Sequence, residues 1–162
     1  MKPAFLDGGS VTAGNSSPLT DGASATLIAS EAFVISNGLK PLAQIKSYAI
    51  SGCAPEIMGI GPVEATRKAI KRAGITVADL DVIEMNEAFA AQVLACCRDL
   101  DIDQKRLNRD GGAIALGHPL GATGARLVGK AGMLLKRDGG RYRLATQCIG
   151  GGQGIAMIME AV

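Results

Sequence analysis

One histidine and one of four cysteines lie in glycine-rich segments that could support acyl transfer. His118 is the only histidine in the chain and lies in the run GGAIALGHPLGATGAR, thirty residues before Cys148, which begins the run CIGGGQG. Glycines let backbone N–H groups approach a ligand, and an imidazole with a thiol can act as base and nucleophile. From the residues alone, we expect thioester or acyl chemistry with this pair at its centre.

Both residues also have structural interpretations. The histidine of Gly-His-Pro lies in a rigid, irregular turn, because Pro119 cannot donate a backbone hydrogen bond, and it serves either catalysis or the loop carbonyls. Cys148 could be a small core residue at the end of a strand, although the glycines that follow it favour a ligand site. We expect the other three cysteines to be such core residues: Cys53, Cys96 and Cys97.

Two further polar residues could assist, and each has two interpretations. Asn86 in MNEAFA either caps the helix that follows or orients a water or ligand beside His118. Ser17 in TAGNSSP is either a turn residue or a ligand contact. The glycine runs are poor phosphate loops, because CIGGGQG lacks the GK[ST] ending and GHPLGATG does not have the spacing GxGxxG.

Composition excludes several classes of protein. The 162 residues carry a net charge of +2, which is too weak to indicate nucleic-acid binding. The four cysteines have no CxxC spacing and accompany a single histidine, so we expect no metal site. We also expect no signal segment and no membrane span, and free thiols then favour a reducing, cytoplasmic location. A small molecule is the expected partner.

Strands alternate with helices until a C-terminal hairpin, which predicts a layered α/β fold with a mixed sheet. Ser30, Pro62 and Gly74 are helix-boundary signals, and Glu87 suits the positive end of a helix dipole. Strands are predicted at residues 23–29, 42–50, 80–85, 142–147 and 155–160. Helices are predicted at residues 31–37, 62–74, 86–100 and 123–136.

Five segments, in order along nearly the whole chain, resemble the thiolase family. They are TAGNSS, MGIGP, NEAFA, GGAIALGHPLGATGAR and CIGGGQG. The resemblance implies an α/β, thiolase-like fold, in which two similar halves each contribute a five-stranded mixed sheet covered by helices. Residues 1–40 resemble the last elements of the N-terminal half, and residues 41–162 resemble the C-terminal half.

The resemblance also changes the roles expected of the site residues. Cys148 matches the acid/base that moves a proton at the acetyl carbon, rather than the acylated nucleophile. His118 matches the residue that activates that nucleophile and donates to the thioester oxygen. Asn86 matches the residue that holds a water beside it, and the N–H of Gly150 matches a second oxyanion donor. Three positions match contacts to the pantetheine arm of coenzyme A: Ser17, Met58 and Phe89.

These roles imply thiolytic cleavage of a 3-ketoacyl-CoA or its reverse, the Claisen condensation of acetyl-CoA. Coenzyme A and acyl-CoA are then substrates, and no cofactor is permanently bound. A thiol of pKa ~8.5 could shuttle the proton once its surroundings lower that pKa. In the family, Gly is usual where this chain has Pro18, which stiffens the pantetheine loop.

The family's nucleophilic cysteine lies upstream of every matching segment, so we expect the isolated chain to be inactive. It would need an N-terminal thiolase half, present an apolar face and form a homo-oligomer when complete. Two alternatives stay open. One is a non-enzymatic thiolase-like module that binds acyl-CoA or a partner chain, and the other is an acyltransferase that uses Cys148 as its nucleophile.

Overall fold

The computed structural model describes residues 1–162, and a single mixed sheet lies at its centre. The strand order is β1-β4-β3-β2, with β2 and β3 parallel and the other neighbours antiparallel. The strands are β1 (Gln44–Gly52), β2 (Leu80–Met85), β3 (Tyr142–Ile149) and β4 (Gln153–Glu160). The α-helices are α1 (Glu31–Ser36), α2 (Gly61–Ala73), α3 (Ala90–Leu100), α4 (Ala113–Leu116) and α5 (Leu120–Asp138). Four 3₁₀ turns complete the set: Ala13–Asn15, Pro55–Ile60, Val77–Asp79 and Gln104–Arg106.

Local sequence signals define several of these boundaries. The Ser30 hydroxyl accepts a hydrogen bond from Phe33 N–H and caps α1. Gly74 ends α2 in the left-handed conformation, with φ +70°, which a residue without a side chain adopts at little cost. The structure confirms the predicted C-terminal hairpin, formed by β3 and β4, and the predicted mixed sheet. Both could be predicted because they depend on short-range turns and on the alternation of strands with helices.

The prediction of a five-stranded sheet is wrong, because the sheet has four strands. Residues 23–29, predicted as a strand, are exposed and form no ladder in this chain. Leu27 and Ile28 of this segment are among the exposed large apolar residues, so its apolar side chains are not buried against the sheet.

The outer edge of β2 shows why no fifth strand forms beside it. Leu107 makes one parallel bridge to Ile83, and then Asn108 turns the chain with φ +42°. The Asn108 side chain replaces the missing ladder, accepting from Met85 N–H and donating to Met85 C=O, each at 2.9 Å. A side-chain amide therefore satisfies the backbone N–H and C=O of Met85, which a neighbouring strand would otherwise pair.

The two faces of the sheet are covered unequally. Helices α2 and α3 cover one face and share with it the main apolar core, which includes Leu80, Ile83 and Leu144. Helix α5 covers the other face through a smaller cluster around Leu127 and Leu135. That helix packs mainly on β2 and β3, so the β1 side of its face is left open.

The segment after β2 differs from the predicted helix. Helix α3 begins at Ala90 with Phe89 as its N-cap, so the interpretation of Asn86 as a helix cap is wrong. Asn86 instead extends the sheet, because its N–H donates to Thr146 C=O at 3.0 Å. Glu87 does not cap α3 either, since its carboxylate accepts from Ile114 N–H at the start of α4.

All four cysteines carry free thiols, and Cys96 and Cys97 are buried as predicted, whereas Cys53 and Cys148 are half-buried. None of the helices combines the length and the apolar character needed to cross a lipid bilayer.

Candidate active site

His118 lies in the turn between α4 and α5, where its imidazole is held in one tautomer. Its Nδ1 lies 2.7 Å from the hydroxyl of the fully buried Thr123. That hydroxyl donates its single proton to Pro119 C=O at 3.0 Å, so it must accept from Nδ1–H. The hydrogen-bond network therefore assigns the proton to Nδ1 and leaves Nε2 unprotonated.

Asn86 provides the partner at Nε2. Its Nδ2 lies 3.3 Å from His118 Nε2, and it donates to the unprotonated nitrogen. The Asn86 side chain is 1% exposed, and its Oδ1 has no hydrogen-bond partner in the protein. A buried amide oxygen without a partner is costly, so this atom is available to a ligand or water beside the imidazole.

The surroundings of His118 favour the neutral imidazole. Burial lowers the pKa of His118 below its ordinary value, and the positive charge of Arg126 adds to this effect. The nitrogens of the Arg126 guanidinium are buried and have no hydrogen-bond partner in the protein. A neutral imidazole with Nε2 unprotonated can accept a proton at that atom.

Cys148 lies at the same edge of the sheet as Asn86. Asn86 directly follows β2, and Cys148 is near the end of the parallel neighbour β3, where it pairs with Gly154. No hydrogen bond joins the Cys148 thiol to the imidazole, whose partners are Asn86 and Thr123. The geometry does not give the direct nucleophile–base contact expected from the residues alone.

The electrostatics of Cys148 also differ from expectation. Burial raises the pKa of the Cys148 thiol above its ordinary value, although a backbone hydrogen bond partly opposes this shift. The expected lowering is therefore wrong for this chain as it stands, because the thiol is desolvated and no cation lies beside it. At neutral pH Cys148 is a thiol, which is a proton donor.

The glycine turn after Cys148 is held by close backbone contacts. A side chain on Gly154 would overlap the backbone of Gly61 at the start of α2, and one on Gly152 would overlap Cys53 C=O. Gly150 has no atom within 4 Å of the position that a Cβ would take, and it is exposed. Its backbone N–H therefore lies in an accessible turn, which close packing at Gly152 and Gly154 fixes on the C-terminal side.

The segments around Ser17 and Phe89 lie side by side. Ser17 N–H donates to Ala88 C=O at 3.0 Å, and Ser16 forms an antiparallel bridge with Phe89. The Phe89 ring also meets Phe5 edge to face, with 5.7 Å between the ring centroids. The structure thus brings together two of the three positions predicted to contact coenzyme A.

Met58, the third position, lies in the 3₁₀ turn that packs on α3. Cys96 donates to Gly59 C=O at 3.4 Å, and a Cβ on Gly59 would lie 2.8 Å from the Gln92 side chain. Met58 itself is half-buried. Helix α3 therefore positions both residues. Met58 lies in the turn that packs on this helix, and Phe89 is the N-cap of the helix.

The sequence did not indicate two polar residues that hold the histidine loop. Asn108 Nδ2 donates to Glu87 Oε1 at 2.7 Å, and Glu87 Oε2 accepts from Ile114 N–H at 3.1 Å. Gly112 has no side chain to obstruct this carboxylate. Asparagine in a loop is an ordinary turn signal, so the sequence does not mark Asn108 for this role, and its left-handed backbone is visible only in the structure.

A buried ion pair also anchors the loop that carries His118, through the backbone of Gly111. Lys130 on α5 lies 3.2 Å from Glu84 on β2 and donates to Gly111 C=O at 2.7 Å. Burial raises the pKa of Glu84, while the charge of Lys130 opposes this shift. No group of three or more histidine, cysteine, aspartate or glutamate side chains in the chain is arranged to hold a metal ion.

Fold and site together define an α/β protein with a histidine–asparagine pair and a thiol at one edge of a mixed sheet. Residues 39–161 match the family model for the thiolase C-terminal domain, and residues 1–32 match the model for the thiolase N-terminal domain. The chain belongs to the thiolase family.

Relatives and solved structures agree with this assignment. The chain is 54% identical over 160 residues to an acetyl-CoA acetyltransferase of Chromobacterium violaceum and 52% identical over 161 residues to human mitochondrial 3-ketoacyl-CoA thiolase. The crystal structure of that human enzyme in complex with CoA superposes with a TM-score of 0.97. A Bacillus anthracis acetyl-CoA acetyltransferase, 46% identical, also gives 0.97. Each comparison covers 99% of this chain but 41% of the other protein, so the chain spans about two fifths of these relatives.

Proposed function

We propose that these residues form the C-terminal part of a thiolase active site, acting in thiolytic cleavage of a 3-ketoacyl-CoA or in condensation of acetyl-CoA. The observation that carries the proposal is the contact between His118 Nε2 and the Asn86 amide. It places an unprotonated Nε2 next to a buried amide whose oxygen has no partner in the protein. Residues 1–40 would belong to the N-terminal half and residues 41–162 to the C-terminal half.

In this proposal His118 handles the proton of the nucleophilic cysteine, which the family resemblance places upstream of these segments. Nε2 accepts the thiol proton, and the resulting thiolate attacks the carbonyl carbon of the acyl substrate. The Nε2–H bond then donates to the oxygen that becomes negative, together with a water held by Asn86. Such donors are typically worth ~10²–10³ in rate.

Cys148 handles the proton at carbon. In cleavage, breaking the carbon–carbon bond leaves a carbanion, which takes the proton of the Cys148 thiol and leaves a thiolate. Coenzyme A then supplies the proton that restores the thiol when its own sulfur attacks the acyl-enzyme. The raised pKa of Cys148 supports the donor role, because the thiol is protonated when the carbanion forms. The N–H of Gly150 would stabilise the enolate oxygen.

Coenzyme A would lie against Ser17, Met58 and Phe89 as a substrate, with no permanently bound cofactor. Support comes from the packing of the two loops and the 3₁₀ turn around the start of α3. One solved relative is described as a complex with CoA. The four free thiols support a reducing, cytoplasmic location.

The test supplies the upstream segment of the Chromobacterium violaceum relative, either as a separate polypeptide or fused to this chain. We expect release of coenzyme A from acetyl-CoA and thiolysis of acetoacetyl-CoA only in the combined protein. We also expect His118→Ala and Cys148→Ala each to reduce kcat by at least ~10². Robust turnover by the isolated chain would overturn the proposal, and binding of acyl-CoA without turnover in the combination would favour a binding module.

A further inference from the structure

Residues 20–24 form a strap that lies across the turn carrying His118. The strap has no regular secondary structure, and Thr20, Gly22 and Ser24 each meet the turn. The Ser24 hydroxyl donates to Ala122 C=O at 2.7 Å. The strap belongs to the segment before the sheet, whereas the turn lies almost a hundred residues later.

Two glycines make this close approach possible. A Cβ on Gly22 would lie 2.9 Å from the Pro119 ring, so a side chain there would lift the strap from the turn. Gly117 faces the strap from the other side, where a Cβ would lie 2.6 Å from the Thr20 methyl. With φ +99°, Gly117 also has a backbone that residues with side chains rarely adopt.

The Thr20 hydroxyl contacts the histidine itself. It accepts from His118 N–H at 3.1 Å and donates to Pro18 C=O at 2.8 Å, so both its hydrogen-bonding directions are used. Pro18 has a fixed φ and follows Ser17, whose N–H is bonded to Ala88 C=O. The hydroxyl therefore joins the backbone of the histidine to a loop that is itself anchored beside α3.

We infer that Thr20 is a positioning residue for His118, and the inference rests on the proposed function. The imidazole makes its two contacts, to Asn86 and to Thr123, only if the backbone at His118 is fixed in place. Thr20 supplies the only side-chain hydrogen bond to that backbone N–H. Small displacements of a proton-transfer group reduce rate without weakening substrate binding.

The first test uses the 162-residue chain and requires no activity. Thr20→Val keeps the shape of the side chain but removes both hydrogen bonds, while Thr20→Ser keeps them. We expect hydrogen exchange at the His118 amide to quicken by about fivefold to tenfold in Thr20→Val and to return to the original rate in Thr20→Ser. Ser24→Ala is the matched control, because it removes a strap contact that does not touch His118.

The second test measures kinetics in the combined protein used to test the proposed function. We expect Thr20→Val to lower kcat by about tenfold and to change KM for acetyl-CoA by less than about twofold. Thr20→Ser should restore kcat. A rise in KM alone would assign Thr20 to coenzyme A binding and overturn the inference.

The two proposals fail in different ways. Unchanged amide exchange in Thr20→Val would overturn the positioning role whatever the activity. If His118→Ala abolishes turnover but Thr20→Val does not affect it, the positioning role fails and the proposed function stands. If the combined protein has no activity that depends on His118, the proposed function fails, and the exchange result still tells whether Thr20 fixes the turn.

Discussion

At the level of single residues, the position of one proton on His118 controls what the site can do. Thr123 sets that position, because its own proton goes to Pro119 C=O and its oxygen must accept from Nδ1–H. We predict that Thr123→Val gives a mixture of tautomers, with Nε2–H populated, whereas Thr123→Ser keeps Nδ1–H. Imidazole ¹⁵N shifts read the tautomer directly, since the chain has a single histidine. A Thr123→Val protein that keeps Nδ1–H alone would show that Thr123 does not set the tautomer.

The charge of the same imidazole links stability to pH. The unfolded histidine titrates near ~6.5, and burial and Arg126 lower the folded pKa. Between these two values the unfolded state binds the proton and the folded state does not, so acidification lowers the free energy of unfolding. The loss begins as pH falls through ~6.5 and is complete below the folded pKa.

We therefore predict that urea midpoints fall more between pH 7.5 and 5.5 in the original chain than in His118→Gln. Burial raises the pKa of Glu84, whose contribution has the opposite sign, but Glu84 is present in both proteins and cancels in the difference. An equal pH dependence in the two proteins would show that the folded pKa of His118 is not lowered.

Whether a site residue could be predicted from the sequence depends on how local its contacts are. The sequence suggested that Asn86 could lie beside His118, and the structure brings the two together. Thr20 was not indicated, because its partner lies 98 residues along the chain and no sequence spacing reveals that contact. Cys148 was placed correctly at a strand end, but its raised pKa depends on desolvation by distant elements.

At the level of elements, the strands and the long helices were predictable because their signals are local. Strand β2 alone has the predicted bounds, residues 80–85, and the long helix α5 begins three residues before its predicted start. The errors concern the fifth strand and the segment at Asn86 and Glu87. The second error depends on Asn108, whose side chain pairs with Met85 of β2 and holds the Glu87 carboxylate.

Substitution of Asn108 tests this element. Asn108→Ala removes three side-chain hydrogen bonds and leaves a left-handed backbone, so we predict a loss of about 3–4 kcal/mol in the free energy of unfolding. Asn108→Gly also loses the bonds but accommodates φ +42°, and it should be less destabilising by about 1 kcal/mol. Urea unfolding measures both, and losses within about 0.5 kcal/mol of zero would show that β2 needs no edge partner.

At the level of the whole molecule, the chain exposes more surface than its mass requires. Its accessible surface is 9205 Å², about a fifth more than the roughly 7,600 Å² typical of a compact monomer of this mass. Part of the excess lies on the sheet face that α5 leaves open. Tyr48 and Ile50 on β1 are more than half exposed and pair with Met157 and Ile155 on β4.

An open apolar sheet face favours association, because its burial against another surface removes apolar area from water. We predict that the isolated chain sediments as oligomers or larger species at micromolar concentration, with a concentration-dependent average mass. The double variant Tyr48→Lys, Ile50→Lys should shift the distribution towards monomer, since two cations would have to be desolvated in the contact. Val162→Lys, which changes one exposed apolar residue at the chain end, is the matched control and should leave the distribution unchanged. A clean monomer of the original chain at all concentrations would show that this face is stable in water.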